Sequence, residues 1–313
     1  MTRAALITKL GNGATLGSVP AATPLGGESE VTMEAAALNP VDRAISEGRF
    51  YGGYPEPPYV PGLEAVGRVG NRRVYVTGAG LGMARHGLIR DSFAAPDDTF
   101  IEIPENIDAA KAVALGTAGL AGWLPMEWRA AVQPGETVLI LGATGFAGTI
   151  AVQAARHLGA GKVIAAGRNH ARLASLDRFV DATVPLDDPD LEAAFIAACG
   201  KGGAQVIYDC LWGEPLVAAL PAASLDGRVV HLGASAGVTA NIPSAAIRGK
   251  RLNVLGYSNF GVPRPILETA YLKMLELAAT GSLEVRVEEV PLEQVEKAWS
   301  GLLRGDGKYV VIP

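Results

Sequence analysis

The run VLILGATGFAG, from Val138 to Gly148, passes from apolar residues into three glycines spaced Gly142-x-x-Gly145-x-x-Gly148. A helical pattern follows, TIAVQAARHLGA, with Ile150, Ala151, Ala154, Ala155 and Leu158 on one face. Strand, glycine turn and helix in that order are the setting in which a glycine motif carries chemistry. Glycine permits the tight turn, lets the backbone approach a pyrophosphate, and lets the helix pack close on the strand. The helix start then offers N–H groups and a partial positive charge to the anion. Gly142, Ala143, Thr144, Gly145, Phe146, Ala147 and Gly148 are therefore the candidate dinucleotide cradle. The alternative is a glycine-rich turn in an α/β domain that binds nothing.

The next strand chooses the dinucleotide. KVIAAG ends in Gly167-Arg168-Asn169, where an NAD-binding chain would carry an acid for the ribose 2′-hydroxyl. The first carboxylate, Asp177, comes well inside the following helical pattern. Arg168 instead offers a planar cationic fork suited to a 2′-phosphate, with Asn169 beside it and Arg172 one turn on. The expected cofactor is NADPH. The competing reading is a solvated Arg168 and an enzyme that prefers NAD.

Outward from this turn, strands alternate with helices. Strands are expected at Thr137–Leu141, Lys162–Ala166, Ala182–Pro185, Gln205–Asp209, Arg228–Leu232 and Asn253–Tyr257. Helices are expected at Ala147–Leu158, His170–Phe179, Pro189–Cys199, Glu214–Ala223 and Pro243–Lys250. Six strands with helical crossovers imply an α/β fold with a doubly wound parallel sheet. Before it lies a Gly- and Pro-rich region with strand patterns such as Arg73–Gly78 and Thr99–Pro104, and an irregular loop at Pro55–Gly62. Ala109–Val132 reads as helix interrupted by Gly116, Gly119, Gly122 and Pro125. After the sheet comes a long helix near Ile266–Thr280, a short helix and a closing strand. The expected domains are 1–110 together with 265–313, and 111–264.

The bulk numbers agree with a folded protein. The chain has 313 residues, of which 49% are hydrophobic and 19% charged, with a net charge of −5. That balance, without a Lys/Arg cluster, argues against nucleic acid as a partner. No apolar run is long enough for a membrane span and the N-terminus lacks a signal-peptide pattern, so a cytoplasmic protein is expected. Cys199 and Cys210 form at most one disulfide and read as buried thiols.

Several segments then match one pattern in order: EAAALNPVDRAISEG, PYVPGLEAVGRV, LGTAGLAGWLPM, VQPGETVLILGATGFAGTIAVQAARHLGA, VIYDCLWG and GRVVHLG. The chain resembles the medium-chain dehydrogenase/reductase superfamily, in its zinc-free, quinone oxidoreductase-like branch, over nearly its whole length. The resemblance implies a Rossmann domain inserted into a GroES-like β-barrel domain, with substrate and nicotinamide meeting in a cleft between them. Zinc-dependent members carry Cys where this chain has Asn39, and His-Glu where it has Leu63-Glu64. The four-cysteine structural lobe is absent, and His86, His157, His170 and His231 are scattered, so no metal is expected. Glu64, left without those partners, is expected to be structural. Without a Lewis acid, hydride should go to a conjugated acceptor, a quinone or an α,β-unsaturated carbonyl.

The resemblance also assigns residues. Asn39 should face the nicotinamide and Thr117 its ribose; Asp42 orients a ribose or caps a helix. Leu211, Gly233 and Ala234 follow strand ends, and Ser258 and Asn259 follow the last strand, where cofactor contacts gather. Lys308 either approaches the cofactor phosphates or is solvated, with solvation favoured. Tyr51, Tyr54 and Tyr59 sit on an aromatic, glycine-rich loop and are candidate proton donors. The edge strand within Gly249–Gly261 is expected to join a homodimer. The leading function is an NADPH-dependent quinone reductase. The alternatives are an enone, alkenal or enoyl-thioester reductase of the same fold, and a non-catalytic NADPH-binding redox sensor.

Overall fold

The computed structural model describes residues 1–313, which divide into two compact units, Met1–Ala118 with Tyr271–Pro313, and Gly119–Ala270. The first opens with β1 (Thr2–Leu6) and β2 (Thr15–Val19), an antiparallel ribbon. It continues through β3 (Glu28–Ala37), α1 (Pro40–Ser46), β4 (Glu64–Val69), β5 (Arg72–Thr77), β6 (Ser92–Pro96), β7 (Phe100–Glu102) and α2 (Ala109–Ala114). The second runs α3 (Leu120–Leu124), β8 (Thr137–Leu141), α4 (Phe146–His157), β9 (Lys162–Gly167), α5 (His170–Ala174), β10 (Ala182–Pro185) and α6 (Leu191–Cys199). It goes on with β11 (Ala204–Asp209), α7 (Gly213–Ala219), β12 (Ala223–His231), α8 (Ser244–Lys250) and β13 (Asn253–Gly256). The boundary falls inside α9 (Arg264–Ala279), after which β14 (Glu288–Pro291), α10 (Val295–Arg304) and β15 (Tyr309–Ile312) complete the first unit.

The second unit is a six-stranded parallel sheet ordered β10-β9-β8-β11-β12-β13. Its strand order reverses at β8, where β9 lies on one side and β11 on the other. Val138, Leu139, Ile140 and Leu141 are all fully buried, as a strand covered on both faces requires. Gly122 lets α3 lie against α4: a Cβ there would overlap the Ala147 carbonyl. The carboxyl ends of the strands, the ligand-binding edge of such sheets, thus gather the glycine turn, Arg168, Cys210–Gly213 and Leu232–Ala234.

The first unit is built on a sheet ordered β14-β15-β3-β4-β5-β7, with β6 also paired to β3. Its core includes Val31, Met33, Ile45, Val76, Phe93, Val290, Trp299 and Val311, drawn from both ends of the chain. β15 runs antiparallel to β3, with Val310 opposite Ala37 and Val311 opposite Ala36. That pairing carries Lys308 to the end of β3.

The observed elements depart from expectation where side chains override propensity. The helix expected over 170–179 ends at Ala174, because the chain tightens into three-residue turns at Leu176, Asp177 and Phe179. Ala109–Val132 is not one interrupted helix: α2 and α3 alternate with wide π-type turns at Leu115–Gly119 and Pro125–Arg129. No helix of the chain is long and apolar enough to cross a membrane.

Candidate functional site

In the second unit the glycines have different duties. Gly142 sits at φ +81, and a Cβ on it would overlap the Cys210 sulfur. A Cβ on Gly148 would overlap the Gly142 carbonyl, so this position sets how closely α4 meets the strand. A Cβ on Gly145 would meet only the Gly142 oxygen, at an ordinary 3.4 Å. The protein itself leaves Gly145 room, and what an added methyl would obstruct is a ligand lying on the turn. Gly145 caps α4 without a side chain, so the first-turn N–H groups lack carbonyls within the helix.

Beyond the turn, Arg168 is exposed and makes no hydrogen bond or ion pair within the chain. Asn169 caps α5, its Oδ1 accepting from Arg172 N–H at 3.0 Å, and Arg172 reaches back to the Thr144 carbonyl at 3.4 Å. On the other side, Asp209 is fully buried and its carboxylate accepts from the Leu211 and Trp212 N–H groups (3.0 and 2.9 Å). Its second oxygen lies 2.8 Å from His231 Nδ1, and the Trp212 ring covers that imidazole at 4.2 Å. Trp212 is held at φ +59, a left-handed conformation this carboxylate pins. Leu211 and Gly233 are half-buried, Ala234 and Ser258 exposed, and Asn259 Oδ1 accepts from the Tyr257 hydroxyl at 2.6 Å. Cys210 donates to the Leu141 carbonyl at 3.3 Å, and burial pushes its thiol up to about 12. Cys199 is likewise pushed up to about 11, so neither thiol is a ready nucleophile.

The first unit holds a buried polar cluster. Glu64 is 0% exposed and accepts three hydrogen bonds: from Asn39 Nδ2 (2.7 Å), the Tyr75 hydroxyl (2.7 Å) and the Thr117 N–H (2.6 Å). Lys308 is also buried, donating to the Leu38 carbonyl (3.1 Å) and to Asn39 Oδ1 (2.6 Å), with its Nζ 4.0 Å from Glu64. This corrects the expectation of a solvated Lys308: the return of β15 to β3 draws it inside, where a carboxylate and two carbonyl oxygens offset its desolvation. Burial lowers the Lys308 pKa while Glu64 and Asp42 oppose that shift. Asp42 caps α1, accepting from the Asn39 N–H at 2.8 Å. Burial pushes its carboxyl up to about 7.

The structure thus brings Asn39, Asp42 and Thr117 into one cluster. Tyr51 and Tyr54 are 82% and 45% exposed, Tyr51 packing on Phe50. Tyr59 is buried instead, its hydroxyl unpartnered and its pKa raised by burial and by the Asp42 charge. Glu64 as a hub, Lys308 as its counter-charge and the Asp209–His231 pair were missed as functional candidates. Only Glu64 left a trace in the sequence, as an acid beside Leu63 in an otherwise apolar turn.

A catalytic zinc needs about three Cys, His or carboxylate ligands. Here an amide and a leucine flank Glu64, an ammonium faces it, and no three His, Cys, Asp or Glu residues group together anywhere in the chain. These residues do not fit a zinc ion.

A doubly wound parallel sheet with a glycine turn on its central strand, in a chain whose two ends share an antiparallel sheet, defines a dehydrogenase/reductase of Rossmann plus GroES-like architecture. The family described as zinc-binding dehydrogenase matches residues 147–279. The chain is 29% identical over 261 residues to quinone oxidoreductase-like protein 2 of Mus musculus, covering 81% of this chain and 74% of that one. It is 25% identical over 290 residues to the Homo sapiens quinone oxidoreductase, covering 88% and 85%. It is similar to the quinone oxidoreductase from Thermus thermophilus, whose structures include a complex with NADPH. That likeness has a TM-score of 0.76 at 28% identity, over 99% of this chain and 100% of that one. The chain belongs to the medium-chain dehydrogenase/reductase superfamily, in its quinone oxidoreductase-like branch, and is an oxidoreductase with a small-molecule substrate.

Proposed function

We propose that the protein is an NADPH-dependent, zinc-independent reductase that delivers hydride to a quinone. The observation that carries the cofactor choice is Arg168: an exposed, unpaired guanidinium at the end of β9, where an NAD enzyme would hold a carboxylate. The fork of Arg168, with Arg172 behind it, suits a 2′-phosphate. The turn Gly142–Gly148 would hold the pyrophosphate on the first N–H groups of α4. Leu211, Gly233, Ala234, Ser258 and Asn259 would line the path toward the nicotinamide, with Asn39, Asp42 and Thr117 serving its ribose and ring.

When bound, the nicotinamide supplies the hydride; the chain supplies binding, orientation and charge. Zinc independence rests on the Glu64 cluster, whose lone pairs are taken by three donors and whose one neighbouring cation is an ammonium. With no metal to polarise a simple carbonyl, a conjugated acceptor fits best, since it spreads the developing charge itself. Tyr51 and Tyr54, exposed on their loop, are proposed to reach the substrate oxygen. A homodimer is proposed through β13, an edge strand with Val254 44% exposed.

The test is a steady-state screen of chelator-treated protein, with NADPH and with NADH, against quinones, enals, cyclic enones and enoyl thioesters. Turnover of quinones with NADPH is expected. Faster turnover of an enone or enoyl thioester would reassign the substrate. NADPH binding without any turnover would make the protein a redox sensor, and dependence on added zinc would overturn the proposal.

A further inference from the structure

Five separated segments meet at Glu64, and two of them present groups proposed above to face the reacting end of the cofactor. Thr117 has an N–H to give because the helix breaks at Gly116, whose ψ of −115 lies far from helical values. Gly116 is the residue this approach tolerates: a Cβ there would overlap both Glu64 Oε2 and the Tyr75 hydroxyl. The turn that carries Thr117 is therefore pinned by a side chain from β4.

Asn39 is held from both ends. Lys308 donates to its Oδ1 and Glu64 accepts from its Nδ2, which fixes the amide orientation, since an ammonium only donates and a carboxylate only accepts. The amide nitrogen carries two hydrogens, and Glu64 takes one; the other makes no hydrogen bond of ordinary length within the chain. An ammonium on the amide oxygen draws charge toward that oxygen and strengthens the remaining N–H as a donor. Asn39 is 1% exposed, so this donor is shielded from water.

We propose that Glu64 and Lys308 are the positioning residues of the reductase, clamping the Asn39 amide and the Thr117 turn so that the free Asn39 N–H meets the oxygen of the reduced acceptor. Hydride adds to the conjugated acceptor, charge moves to its oxygen, and the Asn39 N–H hydrogen-bonds that oxygen until solvent supplies the proton. A buried charged pair of this kind adds little net stability compared with apolar residues of the same volume, but removing one partner strands the other. Fixing a site's geometry is a role that such a pair fills and an apolar pair does not.

The inference rests on the reductase reading, and its test separates the two. Glu64→Gln, Lys308→Met, Lys308→Arg and the Glu64→Gln/Lys308→Met double variant are compared with wild type for kcat, KM, NADPH Kd by nicotinamide fluorescence, and thermal unfolding. Glu64→Gln keeps the shape and an acceptor oxygen, so it serves where Lys308→Met fails to fold. Each of these two is expected to lower kcat at least tenfold with NADPH Kd within about twofold of wild type. Lys308→Arg should recover part of the loss, and the double variant should lose no more than the worse single, as residues of one unit do. Losses that multiply in the double variant, or that fall on NADPH Kd with kcat intact, would overturn the proposal. If wild type turns over no acceptor, the reductase reading fails by itself. The clamp is then read by hydrogen exchange: in Glu64→Leu the Thr117 amide should exchange at least tenfold faster, and an unchanged rate would refute the clamp.

Discussion

The glycine turn of the parallel sheet and the Glu64 cluster of the antiparallel one are both built to hold something still, by opposite means. The turn is local: seven consecutive residues, backbone donors, and side chains removed wherever the chain or a ligand must come close. The cluster is assembled from residues 39, 42, 64, 75, 117 and 308, with side-chain donors and no exposed member at its centre. A backbone site depends on the space at each glycine, whereas a side-chain site depends on every charge having its partner.

This difference can be broken at several points. The largest effect is expected at Gly148→Ala, whose methyl would overlap the Gly142 carbonyl. Overpacking of this kind costs about 1–3 kcal/mol, and thermal unfolding and NADPH affinity should fall together. An unaltered melting temperature would show that α4 and the turn can part without harm. Next is Arg168→Ala, which removes the charge-assisted bonds to a 2′-phosphate, worth about 1.5–3 kcal/mol to a charged partner. The NADPH KM should rise by roughly tenfold to a hundredfold, following those energies, while NADH kinetics and unfolding stay put. An equal change for both cofactors would remove Arg168 from the recognition.

Gly145→Ala sharpens the contrast within the turn. Its Cβ finds room in the protein, so the melting temperature should match wild type while NADPH Kd rises several-fold; a loss of stability instead would mean that the turn is more crowded than 3.4 Å implies. The smallest effect concerns the cluster. Because burial holds the Asp42 carboxyl at about 7, the folded chain keeps a proton that the unfolded chain loses near the ordinary carboxylate range. Asp42 therefore makes stability fall as pH rises from about 4 to about 7. Asp42→Asn cannot titrate, so its melting temperature relative to wild type should climb by a few degrees across that window. A pH-independent difference would place the Asp42 proton elsewhere.

The contrast also explains what the sequence disclosed. β8 and β10 fall at their expected residues because buried strands are apolar runs ended by turns, and such patterns are local. Arg168 was legible for the same reason, as a residue at a fixed distance from the glycines. Lys308 was not: in GDGKYVV it has every mark of a solvated lysine, and only the pairing of β15 with β3, some 270 residues away, buries it. Glu64 and the Asp209–His231 pair were hidden likewise, since their partners lie on other strands. The wide turn at Leu115–Gly119 looked like glycine-weakened helix, although its shape comes from a carboxylate on β4.

The most direct test is the ratio of kcat/KM for NADPH over NADH, measured on chelator-treated wild type with one quinone acceptor. A preference for NADPH of at least about a hundredfold is expected, in keeping with a charged recognition contact, with no gain on adding zinc. Equal use of the two cofactors, or activity that appears only with zinc, would contradict an NADPH-dependent, zinc-independent reductase.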